Sequence, residues 1–479
     1  MNDGNDVSHE RLTLSADEMR RMGYRVIDML VEHFEQLGDL PVAGGTGRRE
    51  LERLLREPPP EEGRPPGDVL DRVGRDVFGN MSHVDHPRFF AYVPGPGNFV
   101  GAMANALVAG FNPFAGAWAT ASGAAEIELV TVDWLRDICG LPASAGGTFV
   151  SGGSMANLTA LAAARHALPE GDIPRAVIYA SDQTHSSIDR GARLLGFRRD
   201  QLRTLPTDED FRLPIETLRN AIAADRAAGK RPFALVANGG TTNTGAVDPL
   251  PELAALRDRE GLWMHVDGAY GAAAALTERG RRALAGMELA DSVSLDPHKW
   301  LFQPFECGCI LLRDAQLLKE TFRLVPEYLR DSDLAAEEVN FRDWGVQLTR
   351  GFRGLDLWMS VQVFGLEAFR AAVDRGIDLA LLAERRLHGS PAWRVITSAG
   401  LGIVTFRFTP DNRAERELDE INRRIAGECV AGRHAMLSTT VLRGRTVLRL
   451  CTINPRTSDD DILGTIERLE IIGRRIAEG

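Results

Sequence analysis

Six short β-branched or apolar runs, GTFVSG, RAVIYAS, FALVANGG, LWMHVDGAY, DSVSLDP and CGCILLRD, recur between helical segments through the middle of the chain. Alternation of this kind is the pattern of βαβ units, and it predicts an α/β fold with a largely parallel, twisted sheet covered by helices. Upstream, apolar residues recur at helical spacing from Ser15 to about Leu37 (Met19, Met22, Val26, Ile27, Leu30, Val31, Phe34), with Ser15 placed to cap and Glu18 three residues on. The stretch REPPPEEGRPPGD reads as a linker, and VLDRVGRDVFG resumes a short helical pattern. Past about Arg375 the pattern changes to ITSAGLGIVTFRFTP, a charged helix, TVLRLCTIN and a last helix from Asp459. The expected organisation is a helical arm over 1–85, a large α/β domain over 86–375 and a small α+β domain over 376–479.

Composition narrows the partners. The 479 residues are 44% hydrophobic and 26% charged, which suits a globular chain with a large core. A formal net charge of -11 leaves no broad basic surface, so nucleic-acid binding has no electrostatic support and a small molecule is the expected partner. Five scattered Cys form neither a disulfide framework nor a metal pattern, and the polar, acidic start MNDGNDVSHE lacks the features of a signal peptide, so a cytoplasmic protein is expected. No charged residue lies between Arg88 and Glu126, yet Pro94, Pro96, Pro113 and several Asn and Gly break that stretch into pieces too short to span a bilayer. It is expected to be buried or to form a subunit interface. His83 and His86 of HVDH lack further ligands in sequence, and no metal is assigned.

Chemistry concentrates where the apolar runs end. In SLDPHKW, Lys299 sits between two apolar segments in a chain where lysine is rare. Burial disfavours an ammonium, which is what a Schiff-base amine requires. Asp267 closes the run LWMHV and is followed by Gly268 and Ala269. Alone it is equally a helix cap. Paired with a buried lysine, it matches what a pyridine cofactor needs: a carboxylate to keep the ring nitrogen protonated and an amine to hold the aldehyde. In TFVSGGSMANL a run leads into Gly152, Gly153 and Ser154, small residues that let helix N–H groups approach a phosphate. The five residues Gly152, Gly153, Ser154, Met155 and Ala156 differ from a nucleophile elbow only at Ala156, which keeps a serine hydrolase acting through Ser154 as a rival. Ser154, His185, Thr242, Asp267 and Lys299 each follow such a run, and ligands bind at the carboxyl ends of parallel strands.

These residues carry a family resemblance. HPRFFAYVPGP, ELVTVDWL, SGGSMANLTALAAAR, SDQTHSS, GTTNTGAVDPL, HVDGAYG, DPHKW, FRLVPEYL and RDWGVQLTRGFR occur in the order found in group II pyridoxal-phosphate decarboxylases, and the chain most resembles the aromatic-L-amino-acid branch. The resemblance implies pyridoxal 5′-phosphate as cofactor and a fold type I architecture. That comprises a seven-stranded sheet, an N-terminal arm that wraps a homodimer partner, and a site drawing on both subunits. It implies that Lys299 carries the cofactor, Asp267 pairs with the pyridine nitrogen, and His185 stacks on the ring opposite Ala269. Gly153 and Ser154 would hold the phosphate with His298 nearby, and Thr242 would sit close to the ring substituents. Tyr92, Phe114 and Trp118 become candidates for the substrate pocket.

Two positions depart from the family. Asp296 replaces the usual Asn of N-P-H-K, and an anion there is unfavourable beside a phosphate. The mobile loop's tyrosine, which gives a proton to Cα, is matched to Phe341 of NFRDW. The expected activity is decarboxylation of an aromatic L-amino acid to the amine. Phenylalanine at that place keeps open the alternative of oxidative deamination to an aldehyde with CO₂, ammonia and H₂O₂.

Overall fold

The computed structural model describes residues 12–323, 338–411 and 413–478. The first helix, Ala16–Gln36, starts on a reciprocal cap in which Glu18 N–H donates to Ser15 Oγ and Ser15 N–H donates to the Glu18 carboxylate. Two donors that a helix start leaves open are satisfied this way. None of the residues of this helix is buried within one chain, and Met19, Met22 and Val31 are exposed. Helices Arg48–Leu55 and Pro66–Arg72 follow. The second begins inside the segment expected as linker, because proline in a first turn lacks only an N–H that the helix would not use.

Seven strands build the main sheet: β1 (Gly146–Val150), β2 (Ala176–Ser181), β3 (Leu202–Leu205), β4 (Arg231–Asn238), β5 (Trp263–Asp267), β6 (Ser292–Leu295) and β7 (Gly308–Leu312). Their order is β1-β7-β6-β5-β4-β2-β3. The pairs from β3 through β6 are parallel, whereas β7 runs antiparallel to both β6 and β1. All six apolar runs are strands. β3 was not expected, since LRTL lies half exposed and contains no apolar run. The uncharged stretch forms the helix Phe99–Phe111 and leads into Trp118–Ile138. No helix among the described residues is long and apolar enough to cross a membrane.

The second sheet is antiparallel, in the order β10-β11-β9-β8, from β8 (Trp393–Gly400), β9 (Ile403–Phe408), β10 (Ser438–Leu442) and β11 (Arg445–Cys451). The boundary expected at 375 falls inside the helical segment Gly354–His388, beyond its kink at Gly365. Its Leu357, Phe369 and Val373 pack in the core of the large sheet, and its Leu379, Ala383 and Leu387 pack in the core of the small one. The change of core therefore occurs between Val373 and Leu379, within the helical part that follows the kink at Gly365.

Buried charge holds that helix to the sheet. Arg350 contacts the Glu128 carboxylate at 2.6 Å, and Glu128 also accepts the Arg353 N–H at 2.9 Å. Asp356 accepts the Leu357 N–H at 2.7 Å and lies 3.8 Å from Cys307 Sγ. Burial raises the Asp356 carboxyl to about 7. The same group in an unfolded chain ionises near pH 4. Between those values only the unfolded state gives up the proton, so this group makes stability fall as pH rises through about 4 to about 7. Asp356→Asn removes that titration. Urea denaturation should show the variant gaining on the wild type across that window, by up to about 1.4 kcal/mol per pH unit; a difference that does not change with pH would show that Asp356 does not titrate there.

Candidate active site

Loops after five parallel strands meet at one edge of the main sheet and line a cavity of about 310 Å³. Gly152, Gly153 and Ser154 follow β1, His185 follows β2, Thr242 follows β4, Asp267 ends β5 with Ala269 beyond it, and Asp296, His298 and Lys299 follow β6; all of them line the cavity. Parallel register produces the convergence, because Asn238 pairs with Asp267 and Asp267 pairs with Ser294 at the ends of β4, β5 and β6.

One wall is a glycine cradle. A Cβ on Gly153 would come within 2.9 Å of both Ala269 Cβ and Asp296 Oδ2, and one on Gly152 would come within 3.0 Å of His298 Cε1. The helix Gly153–Ala167 starts there with no side chain capping it, so its first N–H groups face an open site suited to a phosphate. His298 accepts the Cys307 N–H on Nδ1 at 3.1 Å, and burial lowers its pKa. The imidazole is thus neutral with its proton on Nε2, a donor 3.6 Å from Asp296 Oδ2.

Lys299 Nζ lies 2.7 Å from Asp296 Oδ2, while Asp296 Oδ1 is buried with no hydrogen-bond partner. The aspartate that departs from the family pattern therefore faces a cation. Across the cavity, Asp267 is 7% exposed and its carboxylate accepts from Asn157 Nδ2 at 2.8 Å, Ser294 Oγ at 3.2 Å and the Ala269 N–H at 3.2 Å. An amine, a buried and oriented carboxylate and an uncapped helix start around one cavity fit the aldehyde, ring nitrogen and phosphate of pyridoxal 5′-phosphate.

Four expected site residues stand elsewhere. Phe341 is 1% exposed and packs edge-on to Trp344 with the Arg350 guanidinium 5.0 Å from its ring centre, in a cluster with Val150, Ala156 and Ala160. It does not line the cavity within one chain: an apolar ring flanked by aliphatic neighbours is taken into the core. Tyr92 is 63% exposed, Phe114 is half-buried, and Trp118 packs against the Phe341 cluster; none lines the cavity within one chain. Among the described residues Ser154 has no hydrogen bond to a histidine, as His185 Nδ1 is engaged by Ser187 and His298 Nδ1 by Cys307. A serine nucleophile has no base here.

Residues 49–409 match the family model described as the pyridoxal-dependent decarboxylase conserved domain. The chain belongs to the pyridoxal-dependent decarboxylase family. The decarboxylase is 47% identical to an aromatic-L-amino-acid decarboxylase of Bacillus atrophaeus over 98% of both chains, and 30% identical to a phenylacetaldehyde synthase of Arabidopsis thaliana over 94% of both. Its fold superposes on the crystal structure of Oryza sativa TDC with PLP and tryptamine with a TM-score of 0.92, at 28% identity over 97% of this chain and 99% of that one. The protein is a PLP-dependent decarboxylase of fold type I, which overturns the serine-hydrolase alternative.

Sequence reasoning overlooked residues that line or back the cavity. Asn157, Ser187 and Ser294 hold Asp267 or His185, and Asn157, Asn238, Tyr270 and Glu306 are also among the lining residues. A signal was present for the first group: Asn157 is an isolated amide in an otherwise apolar helix, MANLTALAAA. Replacing Asp267 by Asn should lower kcat by more than a hundredfold, about 3 kcal/mol or more of barrier, the scale of losing one preorganised charge-stabilising group. Steady-state assay of the PLP-loaded protein checks this, and turnover near that of the wild type would remove Asp267 from the role.

Proposed function

We propose that the decarboxylase converts an aromatic L-amino acid to the corresponding amine and CO₂, consuming one proton per turnover. The observation that carries this is the placement of Lys299 and Asp267 around one cavity beside the glycine cradle, in a chain 47% identical to an aromatic-L-amino-acid decarboxylase. When bound, the protonated pyridine ring supplies an electron sink for the pair left on Cα as the carboxylate departs. Lys299 holds the cofactor covalently through Nζ, and Asp267 keeps the ring nitrogen charged. With the cofactor bound, His185 and Ala269 would contact the ring, the start of the helix Gly153–Ala167 with Ser154 and His298 Nε2–H would hold the phosphate, and Thr242 would stand near the ring substituents.

The active assembly is a homodimer. Support comes from the first helix, which buries none of its residues within one chain, and from exposed Leu107, Phe111 and Tyr92 on the segment expected as interface. A partner subunit seated there would bring Tyr92, Phe114 or Trp118 towards a substrate pocket. Five free, buried cysteines suit a reducing cytoplasm.

With Phe341 in the core, the proton donor to Cα needs another residue. The motif FRLVPEYL supplies a phenol, Tyr328, which lies outside the described residues. We assign the amine-forming proton to Tyr328, and this removes the ground on which the aldehyde alternative was kept open.

Purified protein loaded with PLP should be yellow, and Lys299→Ala should lose the visible band. Across a panel of L-amino acids, aromatic ones should give amine and CO₂ in equal amounts with little H₂O₂; preference for an acidic amino acid would overturn the substrate assignment. Tyr328→Phe should shift product towards aldehyde and H₂O₂, whereas Phe341→Tyr should leave the amine-to-aldehyde ratio unchanged. The opposite pattern would return the role to Phe341.

A further inference from the structure

Behind Asp267 runs a buried chain of hydrogen bonds whose direction is forced from both ends. Trp263 Nε1–H donates to Ser292 Oγ at 3.0 Å, and Ser292 Oγ lies 2.9 Å from His265 Nδ1. His265 Nε2 is 2.9 Å from Asn157 Oδ1. Asn157 Nδ2 then reaches two acceptors, Asp267 Oδ2 at 2.8 Å and Ser187 Oγ at 2.9 Å. Ser187 Oγ lies 2.8 Å from His185 Nδ1, which also takes the Ser187 backbone N–H at 3.3 Å. Asn157, His265, Ser292 and Ser187 are all 2% exposed or less.

An ionised carboxylate only accepts, so the Asn157 amide must turn Nδ2 towards Asp267 and Oδ1 towards His265. That requires a proton on His265 Nε2. Burial keeps His265 neutral by lowering its pKa to about 4. Its Nδ1 is therefore bare and accepts the Ser292 hydroxyl, whose oxygen takes the indole N–H. At the other end a backbone N–H can only donate, so His185 Nδ1 is an acceptor and its proton resides on Nε2. No bond in the chain can reverse without leaving a buried group unsatisfied, which costs more than the bond itself contributes.

We propose that Asn157 is a positioning residue that sets both cofactor contacts at once: one amide aims the Asp267 carboxylate and, by donating to Ser187 Oγ, turns that hydroxyl to hold the His185 ring at Nδ1. The His265–Ser292–Trp263 chain in turn locks that amide. The proposal rests on the roles assigned above to Asp267 and His185. It makes the group facing the ring nitrogen and the group facing the ring plane a single unit, although they follow different strands.

A double-mutant cycle on the affinity of the apoprotein for PLP tests it, read by fluorescence titration, with thermal midpoints of the apoproteins measured alongside. Asn157→Leu should raise Kd by about tenfold to a hundredfold, the range for losing a hydrogen bond to a charged group, and should lower the visible band of the loaded protein. In an Asp267→Asn background the same change should add little, because its main route is already cut. Ser292→Ala, remote from the cofactor and small enough to fold, should raise Kd a few-fold in the wild type and not at all with Asp267→Asn. Additive effects in both cycles, or an unchanged Kd for Asn157→Leu, would overturn the proposal. An Asp267→Asn protein with wild-type Kd and turnover would instead bring down the role of Asp267, and this proposal with it.

Discussion

Parallel register between β4, β5 and β6 is the constraint from which the site follows. Because Asn238, Asp267 and Ser294 are direct neighbours, three apolar strands end in polar side chains at one level. Side chains in a parallel sheet alternate faces, so residues two apart share a face. His265 and Asp267 on β5 therefore stand beside Ser292 and Ser294 on β6, making a polar stripe in an otherwise apolar sheet. A stripe of this kind is tolerated only when its members satisfy one another, and the helix Gly153–Ala167 supplies the missing partner by laying Asn157 across it. The Asp267 carboxylate and its support are thus consequences of a single pairing pattern.

Much of this was legible in sequence, and the legible parts share a cause. Runs such as AVIYAS and FALVAN are strands buried on both faces, so they read as continuous apolar segments, and a polar or small residue at their end marks the sheet edge. Lys299, Asp267, His185, Ser154 and Thr242 were found on that ground, and all face one cavity. The short β3 and β10 were missed because partly exposed strands lose that contrast: LRTL and STTVL are short, mixed in character and without an apolar run. Asn157 stood out only as an isolated amide in its helix, and Ser292 not at all. What each does depends on which helix covers which face, and no local pattern encodes that.

Phe341 shows where placement by motif order fails. NFRDW and FRLVPEYL lie close in sequence, so either can be matched to a loop residue, and only the environment separates them. The structure sets Phe341 beneath Arg350, whose guanidinium also donates to the Ala115 and Phe149 carbonyls and pairs with Glu128. A ring held by aliphatic packing and a buried, fully engaged cation is a fixed part of the scaffold. Pulling it out to meet a substrate would leave that arginine without its cover and open a void in the core.

The one reversed strand has a function that the parallel ones cannot serve. Parallel strands all bring their carboxyl ends to the site, whereas β7 starts there, with Gly308 opposite Val150 and Cys309 opposite Leu295. Its first residues therefore press against the cradle from below: a Cβ on Gly308 would fall 2.4 Å from Gly152 Cα, and Cys307 exchanges backbone bonds with His298, accepting from its N–H and donating to Nδ1. The carbonyl and amide of one residue thus fix both the backbone and the ring of His298, and with them the tautomer that leaves a donor at Nε2. A parallel strand in that slot would present its far end and leave the His298 ring free to turn. The antiparallel insertion is accordingly part of the glycine cradle: it trades uniform topology for a rigid floor under Gly152, beside the start of the helix Gly153–Ala167 and the His298 imidazole.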